Sequence, residues 1–158
     1  MKSYGKFGIM IVVSTFIMYW LMYLNVFQIN HIFFSQTRLY MALIMGSVMA
    51  IVMLLFMWGM YKNKAFNFII IGVSVLVFSV SLWLVRSQTT VDDVSWMKAM
   101  IPHHSIAILT SERAEIEDPR VKELAEGIIE AQRREIEEMK QLIKDLEDEE
   151  ENAEENEE

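Results

Sequence analysis

Residues 39–61 read LYMALIMGSVMAIVMLLFMWGMY, with Ser47 as the one strongly polar interruption. A helix needs roughly 20 apolar residues to cross about 30 Å of hydrocarbon, so this stretch is long enough to span a bilayer. Two further apolar runs, 7–27 and 66–85, have a similar length and composition. The first is too long for the apolar part of a typical signal peptide. The sequence therefore predicts three retained transmembrane helices.

Charge divides the chain into two contrasting halves. Residues 1–86 contain six Lys or Arg and no acid, whereas residues 87–158 contain all 22 acidic residues and eight basic ones. The overall net charge of −8 therefore combines +6 in the first half with −14 in the second. An exposed half this acidic disfavours a phosphate backbone, so no nucleic acid partner is expected. The absence of cysteine excludes disulfides, thiolate ligands and Cys nucleophiles.

The lysines predict how the chain crosses the membrane. Lys2 and Lys6 precede the first run, and Lys62 and Lys64 lie between the second and third runs. The other two connections carry one Arg each. Because cationic segments stay in the cytoplasm, the N-terminus is expected inside. Three spans then place the acidic half outside the cytoplasm, in a multi-pass cell membrane protein that contacts lipid.

Two amphipathic helices are predicted in the acidic half, over 91–116 and 119–146. Thr90, followed by acids, resembles an N-cap, and Asp118-Pro119 is typical of a helix start. The last twelve residues include nine acids, a composition that favours disorder. The predicted all-α organisation is a membrane anchor over 1–86, a helical hairpin over 87–146 and a disordered acidic tail over 147–158.

The second predicted helix has a stripe of residues at spacings of four and three. Most members are apolar or small, as in the seam of a coiled coil. Gln132 and Glu135 interrupt the stripe, and an unpaired amide or carboxylate is costly in a packed seam. Two interpretations stay open: a polar pair that sets register, with Glu135 able to lean out to solvent, or a buried functional site. The stripe consists of Val121, Ala125, Ile128, Gln132, Glu135, Met139, Leu142 and Leu146.

The first predicted helix contains MKAMIPHH over residues 97–104. At about 100° per residue, Met97, Met100 and His104 share one sector of the helix, and His103 lies at its edge. Pro102 removes one backbone hydrogen bond and is expected to kink the helix just before the histidines. A methionine-padded core with one satisfied histidine would give a similar pattern, but the paired histidines favour a ligand site.

The expected metal is copper, with Cu(I) favoured. Thioether sulfur is a soft ligand that suits copper better than Zn²⁺, Mg²⁺ or Ca²⁺, and imidazole is compatible with it. A di-iron bundle needs several inward Glu residues and Glu-x-x-His on two helices. This chain has Gln132-x-x-Glu135 instead, which makes iron or manganese the weaker alternative.

The second span carries a methionine at every fourth position from 41 to 57. Such residues most often serve as adaptable packing material, and a copper-relay face is the alternative. No span has a charged residue at its centre, which argues against a proton-coupled pump or a voltage sensor.

Taken together, these motifs resemble the family called domain of unknown function 305. The resemblance covers about residues 91–146, and it implies a ferritin-like, extracytoplasmic helical fold linked in several members to copper binding or resistance. The chain has the double-histidine unit once, so it would supply half of a four-helix bundle that many members build alone. It also gains three spans. Carried over by position, the candidate ligands are Met97, Met100, His103, His104 and Met139, with Gln132 and Glu135 as ligands or supporting groups.

Copper sequestration, tolerance or transfer by a membrane-anchored protein is the expected function. The alternatives are a non-catalytic interaction module without metal and a ferritin-like iron or manganese protein. No nucleophile with an adjacent base is visible, so no enzyme is expected. A two-helix hairpin has little to bury its seam against, which predicts a homodimer or higher oligomer. A copper-handling protein is the other expected partner.

Overall fold

The computed structural model describes residues 2–155, which contain five α-helices and one 3₁₀ turn. The helices are α1 (Lys2–Leu21), α2 (Gln36–Phe56), α3 (Lys64–Ser87), α4 (Asp93–Arg113) and α5 (Pro119–Glu155), and the turn is Ile29–His31. The prediction of an all-α protein is confirmed. The chain forms two compact units. Residues 2–22 and 36–90 form the membrane unit, and residues 23–35 and 91–155 form the hairpin unit.

The membrane unit consists of three helices that are long and apolar enough to cross a membrane, and α2 packs against both α1 and α3. These helices indicate a membrane protein. Their bounds differ from the predicted ones, most clearly at the first span, which was expected to reach Phe27. The helix α1 ends at Leu21 because the residues from Tyr23 to Ser35, here called the first loop, pack with α4 in the hairpin unit.

Close packing of α1 on α2 depends on Gly46. A Cβ atom at this position would collide with the side chain of Thr15, whose hydroxyl donates to the carbonyl of Ile11 at 2.8 Å. The neighbouring Ala42, Ser47 and Ala50 of α2 are also small and buried. Small residues allow membrane helices to approach closely where no hydrophobic effect drives them together.

Helices α4 and α5 pack as an antiparallel hairpin. Thr90 was the expected cap of α4, but the helix begins later because Asp92 accepts the Ser95 N–H at 2.7 Å. The start of α5 at Pro119 agrees with the prediction, and Asp118 accepts the backbone N–H of Arg120 at 2.9 Å. Capping carboxylates satisfy N–H groups that the first turn leaves unpaired.

The face that α5 buries is only partly the predicted one. Ala125 and Met139 are buried as expected, whereas Ile128 and Leu142 are 36% and 46% exposed. The buried stripe instead includes Ile136 and Ile143, which follow the predicted stripe residues Glu135 and Leu142 by one position each. One position rotates a helix face by about 100°, so the predicted stripe mixed the inner face with an outer one.

The helix α5 continues through Glu155, into the segment 147–158 for which disorder was predicted. Glutamate is a good helix former, and the helix is already anchored where the acidic segment begins. Lys98 of α4 forms an ion pair with Glu147 at 2.6 Å. The predicted tail residues 156–158 lie outside the described part of the chain.

Candidate functional site

The three methionines among the candidate ligands lie in or against the hairpin core. Met97 and Met139 are buried members of one apolar cluster, and Met100 packs against it. Isoleucines from both helices complete this cluster, so the thioethers are enclosed by hydrocarbon. The buried members of the cluster are Met97, Ile101, Ile108, Ile136, Met139 and Ile143.

A polar group of three side chains joins α4 to α5. Nδ1 of His104 lies 3.2 Å from Oε2 of Glu135, and Nε2 of Gln132 lies 3.5 Å from the same oxygen. The His104 Nδ1 atom is buried yet forms no hydrogen bond of acceptable geometry, despite its closeness to Glu135. Buried polar atoms are normally hydrogen-bonded, so this nitrogen has unused capacity. We call these residues the His104 cluster.

Burial lowers the pKa of His104 below its ordinary value, and the neighbouring His103 acts in the same direction. Glu135 opposes this effect by attracting the protonated ring. Since burial prevails, the neutral imidazole is favoured. A neutral imidazole retains a nitrogen lone pair and is the form that binds metals.

Not all predicted residues converge. His103 is exposed, and its ring lies 6.2 Å from the ring of His104 between centroids. Within residues 2–155, no three His, Cys, Asp or Glu side chains come close enough together to hold a metal ion. The His104 cluster therefore offers one imidazole, one carboxylate and one amide. Met100 and Met139 lie one helical turn from His104 and Glu135, respectively, where side chains on one helix are neighbours.

These donors fit a soft metal better than a hard one. An imidazole with an unsatisfied buried nitrogen, one helical turn from Met100 on the same helix, would suit Cu(I) as a ligand. A hard ion would require several oxygen ligands, and Glu135 is the only carboxylate in this cluster.

The first loop makes a second polar contact, which no pattern in the sequence predicted. Nδ1 of His31 lies 2.9 Å from Oγ of Ser105, and the backbone N–H of Phe27 donates to the same oxygen at 2.7 Å. His31 and Ser105 are both buried. The one feature of the sequence that could have drawn attention to His31 is that it is the only histidine outside the 103–104 pair. No periodicity connects a loop with a helix 74 residues away.

The fold and the site together define an α-helical membrane protein that has a polar cluster inside a helical hairpin. Residues 89–158 match the family described as Domain of unknown function (DUF305), and the chain belongs to that family. This confirms the resemblance found in the sequence. The matched range contains both hairpin helices and none of the three spans.

A curated relative extends the similarity beyond that range. The chain is 30% identical over 142 residues to "Uncharacterized protein L153" of Acanthamoeba polyphaga mimivirus, covering 85% of this chain and 90% of the viral protein. Residues 89–158 are too few to account for that coverage, so the similarity also includes much of the membrane half. No solved structure matches the chain significantly.

Proposed function

We propose that this protein is a membrane-anchored, extracytoplasmic copper-binding protein that sequesters or transfers copper through a Met/His site. The position of His104 carries the proposal, because its buried Nδ1 has no hydrogen bond and lies 3.2 Å from Glu135. His104 would be the principal ligand, supported by Met100 and Met139 as soft donors. Copper bound there would be held by soft ligands in a largely apolar setting, which favours Cu(I).

The remaining candidate ligands have lesser roles in this proposal. Glu135 and Gln132 would support His104 or complete the coordination of Cu(II), for which a carboxylate is the better ligand. Met97 lies deeper in the core and would contribute a further thioether. His103 is exposed and would serve at most as an entry ligand. No catalytic step forms part of the proposal.

The hairpin unit is proposed to lie outside the cytoplasm. The four lysines that flank the spans support this orientation. The first loop and the hairpin also belong to one compact unit, which requires both to lie on the same side of the membrane. The two spans that separate them in the chain, α2 and α3, meet that requirement. A phosphatase reporter that is active only outside the cytoplasm, fused to the C-terminus, is expected to be active; an inactive but intact fusion would contradict the orientation.

Copper binding is tested on the full chain in detergent by competition with a Cu(I) chelator. His104→Ala is expected to weaken Cu(I) binding by at least the roughly 10–100-fold that loss of a supporting residue costs at a metal site. The neighbouring His103→Ala is the matched control and is expected to cost much less. Met139→Leu removes a sulfur with little change in packed volume and is expected to weaken binding with the helical content unchanged.

The alternatives predict different results in the same titration. A non-catalytic interaction module would show no tight copper binding in the parent. A ferritin-like protein would bind Fe²⁺ or Mn²⁺ more tightly than Cu(I). If His104→Ala binds like the parent while Glu149→Ala does not, the acidic end of α5 is the binder and the proposed site is wrong.

The proposed partner of the hairpin is a second copy of the chain. Four apolar residues on α5 remain exposed about a quarter of a turn from the buried stripe: Val121, Leu124, Ile128 and Leu142. Gly127 and Ala131 form a hollow beside Leu124 and Ile128, and a Cβ at Gly127 would meet open space. Projecting apolar side chains and a hollow therefore lie on the same face of α5. In a pair of hairpins, side chains of one copy would fill the hollow of the other.

Charge supports an identical partner at this part of α5. Residues 120–134 carry four basic and three acidic side chains, whereas residues 135–155 carry eleven acidic and two basic ones. Two copies can therefore meet at the first segment with little repulsion, while their acidic ends would repel one another. A copper-handling protein remains the second proposed partner, as the recipient or donor of the metal.

A further inference from the structure

The first loop is folded against the hairpin. Its turn at Ile29–His31 contacts α4, and the hydroxyl of Tyr23 donates to the carbonyl of Phe33 at 2.9 Å, which brings the two ends of the loop together. Phe27 and Phe33 pack against the same apolar cluster that contains Met97 and Met139. The loop thus forms a strap over the hairpin core.

A polar contact at Ser105 attaches the strap to α4. Ser105 is fully buried, and its Oγ accepts the N–H of Phe27 at 2.7 Å. The hydroxyl proton is then available to His31, whose Nδ1 lies 2.9 Å away and accepts it in the neutral tautomer that is protonated on Nε2. Both contacts come from the strap, so the orientation of the Ser105 side chain is fixed from outside its own helix.

This attachment lies directly after a weak point in α4. Pro102 lies inside the helix and has no N–H to donate to the carbonyl of Lys98. The turn that contains His103, His104 and Ser105 is therefore held to the preceding turn by fewer hydrogen bonds than a regular helix has. A contact that fixes Ser105 therefore also fixes how this turn is rotated about the helix axis, and with it the direction in which the adjacent His104 points.

We propose that His31 is a positioning residue, which clamps Ser105 and thereby holds His104 towards Glu135. The proposal gives the loop between the first two spans a role at the candidate site, and the copper part of this role rests on the proposed function. The clamp itself does not depend on metal. It predicts that the metal-free protein holds His104 in place only while the strap is attached.

The test uses the full chain in detergent without metal and measures the reaction of each histidine with diethyl pyrocarbonate by mass spectrometry. His31→Leu fills the buried position with an apolar side chain but removes the acceptor for Ser105. His104 is then expected to react about fivefold faster, the factor that corresponds to loss of one ordinary hydrogen bond. The exposed His103 serves as the internal reference, and its rate should not change.

Two further variants separate positioning from general loss of structure. His31→Asn retains an acceptor near the position of Nδ1 and is expected to restore most of the protection of His104. Ser105→Ala removes the other partner and should behave like His31→Leu. Hydrogen exchange is expected to accelerate in residues 103–108 of both disruptive variants while the membrane helices stay unchanged. Unchanged His104 reactivity in both His31→Leu and Ser105→Ala would overturn the proposal.

Copper affinity provides a separate readout. If copper binds at His104, His31→Leu should weaken Cu(I) binding and His31→Asn should restore it. If His104→Ala leaves copper binding intact, the proposed copper site fails, but faster modification of His104 in His31→Leu would still establish the clamp. Failure of the clamp and failure of the copper site are thus distinguishable.

Discussion

His104 of α4 and Glu135 of α5 face each other with Nδ1 and Oε2 only 3.2 Å apart, and Nε2 of Gln132 lies 3.5 Å from the same carboxylate oxygen. A carboxylate in this position can pair with a protonated imidazole or share a metal with a neutral one. Burial favours the neutral ring, which leaves a nitrogen lone pair available for the copper site proposed above.

Replacement of Glu135 should discriminate between the oxidation states of copper. Glu135→Gln preserves size and removes the charge, and a carboxylate is a harder ligand than a thioether or an imidazole. We expect Cu(II) affinity to fall more than Cu(I) affinity in chelator competition. Glu138→Gln, three positions further along α5, exposed and outside the His104 cluster, is the control. Equal losses for both oxidation states would contradict a ligand role for Glu135.

The attachment of the strap should weaken as the pH falls. Burial lowers the pKa of His31, Lys140 lowers it further, and Glu137 opposes them; Arg133 lines the same groove. In the detached strap, His31 regains an ordinary pKa of about 6.5 and binds protons more readily. The attachment is therefore strongest above about pH 6.5, and it loses stability as the pH falls from there through the lowered pKa of the attached state.

Hydrogen exchange of the first loop, corrected for the intrinsic pH dependence of exchange, measures this effect. The loop is expected to exchange faster relative to the membrane helices at acidic pH than at neutral pH. His31→Asn cannot titrate in this range and should lose most of the pH dependence. If that variant shows the same acceleration, another group is responsible.

Gly46 and Gly72 form a matched pair for testing the packing of the membrane unit. A Cβ at Gly46 would force Thr15 to move, whereas a Cβ at Gly72 meets nothing within 4 Å. Gly46→Ala is expected to destabilise the unit by about 1–3 kcal/mol, the usual cost of overpacking. Gly72→Ala should be neutral or slightly stabilising, because Ala is the better helix former. Thermal unfolding in detergent, followed by tryptophan fluorescence, checks both; equal effects would show that the Thr15 contact is unimportant.

Periodicity predicted the helices well but could not select the buried face of α5. The predicted and observed stripes share Ala125 and Met139, and they differ by one position at Ile128 and Leu142. Both stripes repeat every seven residues, so spacing alone cannot separate them. The neighbouring helix determines which stripe is buried. Ile136 is buried in the cluster that α4 shares, and the adjacent Glu135 faces His104 of α4.

Spacing could relate only some of the residues that the structure brings together, for a similar reason. His104, Gln132 and Glu135 could be related by spacing because each lies on a helix with a regular repeat. The contact between His31 and Ser105 could not, since a loop has no repeat and its path depends on tertiary packing. Phe27 illustrates the limit: it extends an apolar run in the sequence, yet it packs against the hairpin core.

The exposed face of α5 gives the last prediction, which concerns self-association. Leu124 is 64% exposed beside the hollow at Gly127, and burying such side chains in a pair of hairpins would remove apolar surface from water at about 25 cal/mol per Å². Light scattering of the full chain in detergent, corrected for bound detergent, is expected to give a dimer. Leu124→Glu should shift it towards monomer by placing a charge in the interface. Gly127→Leu should do the same by filling the hollow, and it should leave the helix intact because leucine is the better helix former. Gln141→Glu, which adds an equal charge on another exposed face of α5, is the matched control and should remain dimeric. A monomeric parent, or dimers that persist in both interface variants, would show that this face does not pair two copies.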